Sequence, residues 1–293
     1  MNKLYALGLL ATLMTLTTHA DVTAHPVPAD TVRGAWIGEF QTYVKNGIAS
    51  NLWMQMRAGD GDDRKRHGYS FNLPLSDLDG LGIEPGHDGE AEVRFALDRE
   101  AGRFAFQGRF AADAGAGTFT FSTDEAYVEA MADLGYKNLS TDDLFGLALH
   151  DVTTQFIQDL RELGYASVPL DELLGLAIHG ATPEFIRAMA DLGYTDLSLD
   201  DLVAMRIHGV SPEFVEELKA LGYEDIDADK LTAMRIHGVK PEFIRTLDDL
   251  GYGRPPIDRL IELRIHGVDP EYIAELADLG YSDIPLGKLV EMR

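Results

Sequence analysis

The sequence predicts an α+β protein: a small antiparallel β-sheet curled into a half-barrel, followed by an α-solenoid of six two-helix repeats. Three observations carry that prediction. Up to about Thr123, apolar and polar residues alternate with a period of two, the signature of half-buried strands. Beyond it, apolar residues recur at helical spacing. In that second part Gly-Tyr returns at 135, 164, 193, 222, 251 and 280, and histidine at 150, 179, 208, 237 and 266, always 29 apart. Self-similarity at such a period marks a stacked repeat architecture.

The opening, "MNKLYALGLLATLMTLTTHA", places Lys3 before an apolar run and ends in Thr18-His19-Ala20, a small-x-small cleavage pattern. Residues 1–20 are read as a secretory signal peptide. An uncleaved membrane anchor is the competing reading, but the run is short and rich in threonine for a span. Residues 21–33 follow as a flexible linker. The chain has no cysteine, so neither disulfides nor lipidation can staple or tether it, and its stability must come from packing. Hydrophobic residues at 45% and aromatics at 9% are enough for a core and exclude wholesale disorder.

The β domain is placed at 34–123. "GAWIGEF", "SNLWMQMR", "GYSFNLPL", "AEVRFALD", "GRFAFQGRF" and "GTFTFS" read as its strands, with Trp36, Leu52, Met54, Phe95, Phe104 and Phe106 among the residues sharing the apolar face. "DREAG" is a tight hairpin turn; "AGDGDDRKRHG" and "SDLDGLGIEPGHDGE" are longer polar loops. Gly38 and Gly108 fall on the apolar face, where curvature or close packing is expected.

The helical region is placed at 124–293, with units starting at Asp124, Thr153, Thr182, Ser211, Lys240 and Asp269. The third unit shows the logic. Thr182 is an N-cap, Pro183 fits the first helical position and Glu184 complements the positive helix end. Phe185, Ile186, Met189 and Leu192 form the buried stripe of helix A, which Gly193 ends in a left-handed cap. Helix B follows Ser198, with Leu202, Met205 and Ile207 as its apolar positions, and Gly209 with Val210 as a Schellman ending. Helices of about ten residues do not stand alone in water, so each unit needs its neighbours. The first unit joins the sheet without a linker, so the sheet is expected to cap the stack rigidly.

The pattern "PEFIRxLxxLGY" then "DxLxxMRIHGV", joined to a sheet ending "GTFTFS", resembles a helical repeat region of exported bacterial proteins, appended in some relatives to membrane metallopeptidases of the sensor-transducer type. The resemblance spans roughly residues 34–293 and implies an extracytoplasmic sensing or interaction module. It carries over no catalytic residue, because the chain has no His-Glu-x-x-His motif.

Two further rows are candidate binding residues. The recurring histidines, His208, His237 and His266 among them, sit in the last turn of helix B. There an imidazole can donate to orphan carbonyls and titrate near neutrality. They cannot share one metal: zinc needs nitrogens at about 2.0–2.1 Å, while stacked helices stand ~8–10 Å apart. Arg206, Arg235 and Arg264, with Arg293, occupy the position held by Ala148 and Ala177 in the first two units. They are suited to a partner's carboxylates, or to intramolecular pairing with Glu184, Glu213, Glu242 and Glu271, the reading favoured on sequence. The repeated tyrosine is read as a packing residue whose hydroxyl reaches a surface partner. Asp60, Asp62 and Asp63 lack the spacing of a calcium loop.

Charge bounds the partner. The chain carries a net −24. Residues 124–293 hold 14 basic against 34 acidic residues, net −20. Such a polyanion excludes nucleic acid and anionic lipid and favours a protein or basic peptide. The sequence therefore points to a non-catalytic, periplasmic or secreted binding scaffold, with no cofactor, no metal and no membrane span after signal removal. Two alternatives remain: a cation-binding structural envelope protein, and a hydrolase using a β-domain pocket rimmed by His67, Asp77 and Asp79.

Overall fold

A computed structural model describes residues 31–44, 48–59, 67–281 and 284–293. The signal segment and the Asp60–Asp63 loop lie outside the described residues. Seven strands come first: β1 (Thr31–Val44), β2 (Ile48–Ala58), β3 (His67–Pro74), β4 (Leu78–Asp79), β5 (Glu90–Arg99), β6 (Gly102–Ala111) and β7 (Ala114–Thr123). All pairings are antiparallel, in the order β3-β2-β1-β7-β6-β5-β4. The two edge strands are consecutive in the chain, joined by the 3₁₀ turn Leu75–Asp77. Four residues span at most about 14 Å, so the sheet must curl until its edges approach each other. β1 begins at Thr31, which pairs with Ser122. Residues 31–33, expected in the linker, are therefore strand, because β7 offers them a ladder and Val32 packs on the core.

The period-two reading of the strands gives the core. Trp36, Leu52, Met54, Met56, Phe104, Phe110 and Phe121 are all at most 1% exposed. Gly108 is needed there: a Cβ on it would stand 2.3 Å from the Ala116 carbonyl oxygen and 2.8 Å from the Trp36 ring. Trp36 completes the fit by donating its indole N–H to the Gln107 carbonyl at 3.3 Å.

The six units follow in register. Their A helices are Glu125–Asp133, Thr154–Glu162, Pro183–Asp191, Pro212–Ala220, Pro241–Asp249 and Pro270–Asp278; their B helices are Thr141–Leu149, Leu170–His179, Leu199–Ile207, Ala228–Ile236, Ile257–Ile265 and Leu286–Met292. Asp124, Thr153, Thr182, Ser211 and Asp269 cap their A helices through the side chain. Ser140 and Ser198 form reciprocal capping boxes with Asp143 and Asp201 at B helices. Both helices of a unit end in the same way. Tyr194 N–H reaches back to the Met189 carbonyl at 3.0 Å, and Val210 N–H to the Met205 carbonyl at 2.8 Å, each past a glycine of positive φ. Val210 and Met205 are fully buried.

Neighbouring units are tied by polar contacts as well as by their core. The hydroxyls of Tyr136, Tyr165, Tyr194 and Tyr223 donate to the carbonyls of Val168, Leu197, Ile226 and Pro255, each in the next unit, at 2.7–2.8 Å. The tyrosine hydroxyl is thus an internal lock rather than a group facing a partner. Lys219 donates to the Leu192 carbonyl of the preceding unit at 2.7 Å, satisfying an orphan helix-end acceptor. The A helices of neighbouring units pack on one another, as do the B helices from the second unit on, so each helix type forms its own layer.

The sheet caps the stack as expected, and through specific contacts. Phe145, on the B helix of the first unit, inserts among Phe104, Phe119 and Phe121 of the sheet, with ring centroids 5.2–6.1 Å away. The turn between β5 and β6 fits the start of the array. Ala101 accepts from the Asp124 amide at 3.2 Å, Glu100 from the Thr154 amide and hydroxyl at 2.9 and 2.6 Å, and Arg99 stands 3.5 Å from Asp151.

Candidate functional site

The two candidate rows lie at the C-terminal ends of the B helices. Each arginine lies over the aromatic ring of its own unit's A helix: Arg206 on Phe185 at 4.9 Å, Arg235 on Phe214 at 5.0 Å, Arg264 on Phe243 at 5.3 Å and Arg293 on Tyr272 at 4.7 Å. Its outer nitrogens reach across to the cap glycine of the preceding unit. A Cβ on Gly180, Gly209 or Gly238 would meet the guanidinium of Arg206, Arg235 or Arg264 at 3.3, 3.0 and 3.6 Å. The glycine is favoured by its positive φ of 70–75°, and its missing Cβ lets the next arginine pack closely on the cap.

This pairing explains why the first unit departs from the pattern. Its cap is Asp151 rather than glycine, at φ 53°. The next unit has Ala177 where later ones have arginine, so no guanidinium fills that space. Asp151 instead takes Arg99 of the sheet as its ion partner.

The intramolecular pairing expected for Arg206, Arg235 and Arg264 is not what forms. Among the described residues none of the three joins an ion pair or donates a hydrogen bond, and the buried Nε of each has no acceptor. Stacking on the ring takes the place of pairing with a glutamate. Glu213 feels Arg206 only weakly: its carboxyl is held below the ordinary carboxylate range by its hydrogen bond to Ser211 first, then by its own backbone amide, and least by Arg206.

Beside the arginines runs a row that sequence reasoning assigned to the core. Ile178, Ile207, Ile236 and Ile265 are 51–55% exposed, whereas Leu202 and Met205 are fully buried. The reason is angular. At 3.6 residues per turn, five residues from Leu202 to Ile207 turn the side chain by about 140°, off the buried stripe. Val203, four residues earlier on the same face, is half-buried. The signal was present in the spacing, since i+3 from Leu202 gives Met205 and i+7 gives Gly209, never Ile207.

The histidines cap the same helix ends. His208 and His266 are exposed and His237 is half-buried. His150, in the first unit against the sheet, is pushed below the ordinary imidazole value by burial. Among the described residues no cluster of three or more histidine or acidic side chains is placed to hold a metal ion. Asp77 is engaged by Arg99 at 3.1 Å, while Asp79 lines a shallow groove on the sheet's outer face with Arg94 and Arg103. The side chain of His67 lies outside the described residues.

What the fold and these rows define is a two-layer helical array, capped by a curled sheet, with an apolar and cationic stripe on its B-helix layer. No protein-family model matches the chain, and no curated protein shows significant similarity to it. Among the described residues, no helix is long and apolar enough to cross a membrane.

Proposed function

We propose that this chain is a non-catalytic scaffold that binds a protein or peptide through the B-helix face of its repeats, and that it works outside the cytoplasm, in the periplasm or as a secreted protein. The observation that supports it best is the row of four half-exposed isoleucines. Exposing aliphatic side chains at one repeated position forgoes burial worth about 25 cal/mol per Å² each time. Exposed apolar surface of this kind marks interaction sites. The opening segment, with its signal pattern, and the resemblance to exported repeat proteins support the location. The net −20 of the arm favours approach of a partner with a basic body, an attraction that acts within about 8 Å at physiological salt.

The test is capture from an envelope extract by the wild-type protein and by an Ile207→Ser/Ile236→Ser variant, with circular dichroism melts alongside. Both substitutions fall on exposed side chains, so the melts should coincide. Loss of a captured protein in the variant supports the B-helix face; equal capture by both rejects it.

A further inference from the structure

Resting on that reading, we infer that the B-helix stripe takes an extended segment of polyproline-II form that presents an aliphatic side chain to the isoleucine row and a carboxylate to the arginine row once every three residues. The first support is charge. In an arm of net −20, Arg206, Arg235 and Arg264 keep half-buried guanidinium groups that no residue among those described neutralises by an ion pair; the Nε of each is buried, which leaves the Nη groups to meet a ligand. A guanidinium anchored over an aromatic ring, its Nη donors joined to no acceptor among the described residues, is preorganised for a carboxylate. The net charge of the arm governs what approaches; this local row governs what docks.

The second support is the repeat distance. Stacked helices stand ~8–10 Å apart, and a polyproline-II strand completes one turn of three residues in about 9 Å. Its three edges then meet three environments: one lies along Ile207 and Ile236, one along Arg206 and Arg235, and one faces water. A β-strand repeats its side-chain direction every ~6.7 Å and would fall out of step after one unit. The preformed polyproline-II helix also loses little entropy on docking.

Fluorescein-labelled (Val-Asp-Pro)4 tests this by anisotropy against the full chain, with (Val-Lys-Pro)4 and (Ser-Asp-Pro)4 as controls. The expected result is saturable binding of the first peptide, weakened at least tenfold in either control. It should weaken at least tenfold in an Arg206→Gln/Arg235→Gln variant and in an Ile207→Ser/Ile236→Ser variant, the second of which cannot be attributed to unfolding. Equal or tighter binding of the lysine peptide overturns the inference, as does no saturable binding of any of the three, or binding indifferent to both variants. None of those outcomes touches the envelope-capture result, so the scaffold reading stands or falls separately.

Discussion

Tyr194 of the third unit donates its phenolic hydrogen to the Ile226 carbonyl of the fourth, 2.8 Å away and 32 residues along the chain. The same bond recurs from Tyr136, Tyr165 and Tyr223. A bond made once per interface is a coupling term of a one-dimensional array, in which stability is a sum of unit and neighbour contributions. Tyr194→Phe keeps the ring and removes the donor, and should cost about 0.5–1.5 kcal/mol in denaturant unfolding. A Tyr165→Phe/Tyr223→Phe pair, at interfaces that do not share a partner, should be additive; coupling between them would mean that the array unfolds other than by neighbours.

Leu202 and Ile207 separate what the helix B pattern ran together. Leu202 is fully buried, so Leu202→Ala should cost about 2–5 kcal/mol. Ile207, half exposed, should change stability by at most about 0.5 kcal/mol when replaced by Ala. Melting curves of the two variants decide this; a large loss at Ile207 would place it in the core.

Gly209→Ala should destabilise for two separable reasons. The backbone at φ 75° disfavours a Cβ by about 1–2 kcal/mol, and that Cβ would press on Arg235 at 3.0 Å. In a double-mutant cycle with Arg235→Ala, the second part should vanish and the first remain. Full additivity would show that the guanidinium is not seated on the glycine.

Protonation works at both ends of the pH scale. Burial lowers the His150 value from 6.5, so the unfolded chain takes up that proton first as pH falls. The contribution is present above 6.5 and is lost on acidification through the folded value. Stability between pH 7 and 5 should fall less steeply in His150→Gln. At the alkaline end, Tyr194 is raised above 10.0, mainly by burial and then by Asp225 and Asp227. Its contribution is present below 10.0 and is lost as pH rises toward the folded value, so Tyr194→Phe should show a shallower alkaline loss.

The junction between sheet and arm should unfold as one body. Phe145 is buried among three sheet phenylalanines, and Phe145→Ala should cost about 3–5 kcal/mol. It should also split a shared thermal transition into two, seen as separate near- and far-ultraviolet melts.

By itself the sequence determined the architecture. Period-two alternation set the strands, and the recurrence of N-cap residues and cap glycines at 29-residue intervals set every A helix start from Asp124 to Asp269, because these signals act within a few residues of backbone. Only the tertiary structure decided which way the rows face and what they touch. Arg206 finds Phe185 in its own unit and Gly180 in the one before, and Tyr165 finds Leu197 in the one after. No local pattern encodes a partner 21 to 32 residues away. The exposure of Ile207 belongs to the same class: helical geometry turns it off the buried stripe, but only the stacking of the B helices makes it one member of a repeated exposed row.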